Sequence, residues 1–164
     1  MPLSPDPGIE TNLGAIEVGQ QKIVFEAIRT ENPSCSSRRG SGPSASDYIC
    51  QQGVITFNEV RINEGQGFTS NGTFIAPSDG VYQFEVSFIA YQTVTMSMKT
   101  TLSNQIIRIS DGVGYRSNQR TVAKTATMKM EKGDGIYVTN ESSNSQAIRA
   151  DTMYPFIFQG FKIN

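Results

Sequence analysis

Histidine is absent from all 164 residues. Its absence removes the commonest general base and the commonest zinc ligand. Cysteine occurs only twice, at Cys35 and Cys50, too sparsely for a thiolate metal cluster. No run of eighteen apolar residues is present, so no helix is long and apolar enough to span a bilayer. A formal net charge of −1 lacks the broad basic footprint that phosphate-backbone binding needs, which argues against nucleic acid as a partner. The first fourteen residues have neither a basic segment nor an apolar one, and so do not form a signal peptide.

What is present describes one globular domain. With 37% apolar and 18% charged residues, a chain of this length buries about 70% of its unfolded surface around one core. Residues 1–21 contain Pro2, Pro5, Pro7 and three glycines, and read as a flexible tether; residues 22–164 form the globular part. From Lys22 onward apolar residues alternate with polar ones, the mark of half-buried strands. Tyr82, Phe84, Val86 and Phe88 share one parity, as do Val94, Met96 and Met98, and Val122, Ala126, Met128 and Met130. Turn signals at Glu64–Gly67, Asn71-Gly72, Pro77–Gly80, Asp111-Gly112 and Lys132–Gly135 divide the runs. About ten short strands with this spacing predict an all-β sandwich or jelly roll. In the last run Phe156 and Phe158 have one parity, Phe161 and Ile163 the other. A bulge or bend at Gly160 would let all four face the core.

Residues with chemistry are few. A disulfide between Cys35 and Cys50 would close a polar loop of about 15 residues, remove roughly 3 kcal/mol of unfolded-state freedom, and imply an oxidising compartment; the alternative is two unrelated thiols. Sequons at Asn71 and Asn140 point the same way, toward secretion and glycosylation. Arg108, Tyr115, Arg116 and Arg120 gather at a strand end and its loop, where arginines could grip carboxylates or phosphates of a glycan or lipid head group; solvated loop charge is the more frequent explanation of such a cluster. Glu85 lies on a polar strand face. Jelly rolls host acid pairs about 5 to 9.5 Å apart for glycoside hydrolysis, but a solvated strand residue explains Glu85 as well. No nucleophile with an adjacent base is found, and the chain is read as a non-enzyme without a cofactor.

The aromatic and glycine positions resemble the complement C1q globular-head family, within the C1q and tumour necrosis factor superfamily. Phe25 sits in a first-strand segment, KIVFEAIR. Phe57, Asn63 and Phe68 follow, then Phe74-x-x-Pro77-x-x-Gly80-x-Tyr82-x-Phe84, Gly133-Asp134 before a strand, and Phe158-Gln159-Gly160-Phe161 near the end. The likeness covers residues 22 to 163. Three departures mark a divergent member: one residue fewer between Phe68 and Phe74, Val86 where an aromatic is usual, and a longer Ser/Gly-rich insertion at about 30–53. The resemblance implies a ten-stranded jelly roll that assembles as a homotrimer, with apolar side chains buried along its axis. It further implies a secreted recognition or adhesion module for a glycan, microbial surface or cell-surface protein, with a signalling ligand or a structural head as alternatives. Some members bind calcium near the top of the trimer. Asp111, Asp134, Glu141 and Asp151 are the loop-end acids here that would supply oxygen ligands.

Overall fold

The computed structural model describes residues 21–31, 48–49, 53–90, 94–111, 120–142 and 148–164. Within them the chain forms β1 (Val24–Arg29), β2 (Tyr48–Ile49), β3 (Gly53–Val54), β4 (Glu59–Glu64), β5 (Phe74–Ile75) and β6 (Gly80–Ala90). Then come β7 (Thr95–Thr100), β8 (Ile106–Asp111), β9 (Arg120–Met130), β10 (Gly135–Asn140), β11 (Ile148–Arg149) and β12 (Phe156–Lys162). The expected all-β jelly roll is what the chain adopts. Twelve segments stand where about ten were expected: eight strands of six residues or more, and four of only two residues, β2, β3, β5 and β11.

Two antiparallel sheets face each other. In the seven-stranded sheet β6 is central. It pairs with β9 along its whole length, from Gly80 opposite Met130 to Ala90 opposite Arg120. Its other side pairs with β12 and then β11; β12 pairs with β1, and β1 with β4. In the five-stranded sheet β10 lies between β7, which leads to β8, and the short β3 and β5.

Alternation decides which residues fill the space between the sheets. Tyr82, Phe84, Val86 and Phe88 are all buried, as are Met96 and Met98 from the facing sheet. Phe25 stacks on Phe74 at 4.7 Å and on Phe68 at 5.0 Å, and meets Phe158 edge-on at 4.9 Å. Such ring pairs each add about 0.5–1.5 kcal/mol beyond area burial. The Asn63 carboxamide closes the β4–β5 connection, accepting from Phe68 N–H and donating to Phe68 C=O, both at 3.0 Å. Pro77 and Gly80 turn the chain into β6. There the Tyr82 hydroxyl donates to Ser78 C=O at 2.7 Å, and a side chain at Gly80 would strike Lys162 and the Asn164 carbonyl.

The bend expected at Gly160 does not occur. Pairing of β12 with β6 runs unbroken from Ile157 opposite Ser87 to Lys162 opposite Tyr82. Gly160 faces inward, and a Cβ there would lie 2.6 Å from Phe84 and 2.7 Å from Phe25. The glycine makes room for two rings. With no bulge to switch parity, Phe161 and Ile163 face outward, 44% and 49% exposed.

The sandwich has two unlike poles. The chain enters β1 and leaves β12 at the first. Ile163 N–H bonds Val81 C=O there at 2.7 Å, and the short turns 64–67, 77–80, 101–105 and 131–134 close the strands. The second pole receives the ends of β1, β6, β8 and β10 and the starts of β9, β11 and β12. The described residues on either side of 32–47, 91–93, 112–119 and 143–147 all lie at this pole.

Candidate functional site

Three places bear on function: the outward face of the seven-stranded sheet, the ionic cluster on the outside of the other sheet, and the second pole.

Outward-pointing residues of the larger sheet follow from register. Val24, Phe161, Gln83 and Thr127 form one row across β1, β12, β6 and β9. Glu26, Gln159, Glu85 and Thr125 form the next, with Ile62 of β4 beside Glu26. Together they surround a depression of about 170 Å³ lined by Val24, Glu26, Ile62, Gln83, Glu85, Gln159 and Phe161. Glu85 accepts from Gln159 Nε2 at 3.1 Å and from the Thr125 hydroxyl at 3.4 Å. Glu26 is held by Arg61 at 3.4 Å. A face with exposed Phe161, Ile163 and Ile62 around a polar centre has the composition of an interface, with an apolar rim and a few placed hydrogen-bonding groups. The opposite parity of Phe161 and Ile163 is the sequence signal for this second contact face.

On the smaller sheet, Glu141 receives Lys99, Arg108 at 2.9 Å and the Ser97 hydroxyl at 3.2 Å. The Lys99 hydrogen bond is the main reason its carboxyl titrates below the usual carboxylate range; burial opposes this, and the charge of Arg108 adds to it. Arg108 is therefore engaged by an internal acid on β7–β10–β8. Arg120 opens β9 in the other sheet, and Tyr115 and Arg116 lie outside the described residues. Cys35 and Cys50 also lie outside them.

The sequons differ sharply. Asn71 is exposed and caps a turn, its Oδ1 accepting from Thr73 N–H at 3.2 Å and from the Thr69 hydroxyl. Asn140 is 3% exposed, and its Oδ1 accepts from Ser142 N–H at 3.1 Å. The Ser142 hydroxyl in turn accepts from Thr95 N–H at 2.9 Å. A glycan on Asn140 would require that the side chain leave this buried turn.

The loop-end acids are dispersed. Asp134, at the first pole, accepts from Leu102 N–H at 2.9 Å and from the Ser103 and Thr101 hydroxyls at 2.6 and 3.3 Å. Burial pushes its pKa up, but these hydrogen bonds outweigh that and leave it low. Asp151, at the second pole, is likewise raised by burial and lowered further by Arg149 and by the Tyr154 and Met153 N–H groups. Among the described residues no three acidic, histidine or cysteine side chains converge as a metal would require.

Taken together, the two-sheet arrangement defines a jelly roll of the C1q and tumour necrosis factor type. The model of the C1q domain matches residues 41–163. The chain belongs to the C1q domain family. The globular domain of zebrafish complement 1qA protein is similar at 20% identity and a TM-score of 0.64, over 87% of this chain and 98% of that one. Eiger TNF from S. frugiperda is similar at 11% identity and a TM-score of 0.57, over 88% and 94% of the two chains. Membership makes this a domain of the recognition and signalling class, whose members form trimers, bind ligands and are typically extracellular. No helix among the described residues is long and apolar enough to cross a membrane.

Proposed function

We propose that the protein is a secreted trimeric recognition or adhesion head, which binds surface glycans or microbial and cell-surface proteins through its second pole. The observation that carries this reading is the polarity of the sandwich. Residues 1–21, read as a tether, precede β1 at the first pole, whereas Arg29, Ala90, Asp111 and Asn140, the last residues of β1, β6, β8 and β10, stand at the other. A threefold assembly through the outward face would present three copies of that pole together. Multivalent display of this kind raises avidity about 100-fold or more without new contacts. Exposed Met153 and Tyr154 stand at this pole, with Arg149 stacked 4.3 Å over the Tyr154 ring. The test is binding of the intact trimer to a glycan array and to whole bacteria. Saturable binding to either supports the proposal. Blank results on both, from folded trimer, contradict it, and saturable binding to a single animal-cell receptor with both blank moves the assignment to a signalling ligand.

A further inference from the structure

Asn71-Gly72 is the only asparagine–glycine step in the sequence. Glycine's missing Cβ leaves its own nitrogen free to approach the carboxamide of the residue before it. The structure sets this step in a turn that is closed several times over. Thr69 N–H donates to Thr73 C=O at 2.9 Å, and Gly72 N–H donates to Thr69 C=O at 3.1 Å. Asn71 Oδ1 accepts from Thr73 N–H at 3.2 Å and from the Thr69 hydroxyl, which also reaches Thr73 C=O at 2.7 Å. Asn71 is exposed to water, whereas Gly72 is buried. Gly72 has a φ of +87°, and a Cβ there would lie 2.4 Å from the Ile55 carbonyl oxygen. Phe68 and Phe74 bridge to each other across the base of the turn and both stack on Phe25.

We infer that Asn71 is a deamidation site which the folded turn keeps latched. The Gly72 nitrogen attacks Asn71 Cγ, its proton leaves with the side-chain nitrogen as ammonia, and a five-membered succinimide remains. Water then opens either carbonyl of that ring, giving aspartate or isoaspartate at position 71. In the closed turn neither reactant is free. The Gly72 N–H is engaged by Thr69, and the carboxamide oxygen is tied to Thr73 and Thr69, so Cγ cannot swing onto the nitrogen. Reaction therefore requires the turn to open locally. Isoaspartate threads one extra carbon into the backbone of a turn already packed against Ile55. The product cannot reclose, and Phe68 and Phe74 lose the link that fixes their spacing. A glycan on Asn71 takes the same nitrogen that would leave, so glycosylation and deamidation compete for one atom.

The experiment follows the unglycosylated full chain at mildly alkaline pH, by peptide mapping and by labelling with an isoaspartate-specific methyltransferase. Asn71 in the folded chain should convert at least about tenfold more slowly than in chain unfolded by guanidinium chloride. Thr69→Val removes one hydrogen bond of the latch and should speed the folded-state reaction about fivefold, with the unfolded rate unchanged. Thr69→Ser keeps the hydroxyl and should return the wild-type rate. If Thr69→Val does not fold, wild type in sub-denaturing guanidinium chloride reads the same latch, through a rate that climbs before the core unfolds. Equal rates in folded and unfolded chain, a Thr69→Val rate equal to wild type, or a rate that stays flat until global unfolding overturns the latch. No conversion at position 71 even in the unfolded chain overturns the site itself.

Discussion

Replacing Gly160 by alanine is the sharpest probe of how the core is closed. The new Cβ would lie 2.6 Å from Phe84, 2.7 Å from Phe25 and 3.0 Å from the Gln83 carbonyl. None of the three yields easily. Phe84 and Phe25 are fully buried and in contact with Phe74 and Phe158, and Gln83 belongs to the unbroken β6–β12 ladder. Overpacking of this kind costs about 1–3 kcal/mol. For a domain of this size that is a fall in Tm of about 3 to 10 °C. Urea and thermal unfolding followed by circular dichroism would measure it. A second variant tests the cause: a Phe84→Leu background removes the closest of the three contacts, so the alanine should cost less there than in the wild type. Wild-type stability for Gly160→Ala would refute the reasoning. An equal loss in both backgrounds would point to backbone conformation instead, as a bulge would require.

Other expectations follow from individual contacts. Tyr82→Phe leaves the ring packed but removes the hydroxyl that donates to Ser78, and should cost about 1 kcal/mol in urea unfolding. Asp134→Asn replaces a carboxylate that holds three donors at the 101–103 turn, and should cost about 1.5–3 kcal/mol at neutral pH. Because the folded pKa of Asp134 is lowered, its contribution is fully present above the unfolded value and is lost as pH falls through the folded one. Acid unfolding profiles of the variant should therefore converge on the wild type at low pH. Expression in a secretory host should add a glycan at Asn71 and none at Asn140, as read by intact mass before and after deglycosylation of the wild type and Asn71→Gln; a glycan on Asn140 would contradict the buried turn.

Much of the fold is legible in the sequence because short-range alternation reports directly on burial. Tyr82, Phe84, Val86 and Phe88 needed only parity to be placed inside. The resemblance singles out Asn63, and the structure supplies its physical role as a clamp on Phe68. Phe161 and Ile163 were harder, since alternation distinguishes two faces but not whether the second is wet or covered. A core-seeking reading assigns both residues inward through a bulge, whereas the unbroken register leaves both on the outward face of the sheet. Pairing across strands is also hidden. Arg108 and Glu141 stand 33 residues apart in sequence, and only the order β10–β7–β8 brings them together. The burial of Asn140 is likewise hidden, because it depends on the sequon's own Ser142 bonding Thr95 from a distant strand.

Sedimentation equilibrium of the purified chain tests the central claim most directly. A species of three times 17.9 kDa, lost on Phe161→Asp while the β-rich circular dichroism spectrum persists, is the predicted result. A single 17.9 kDa species across the concentration range would contradict the account.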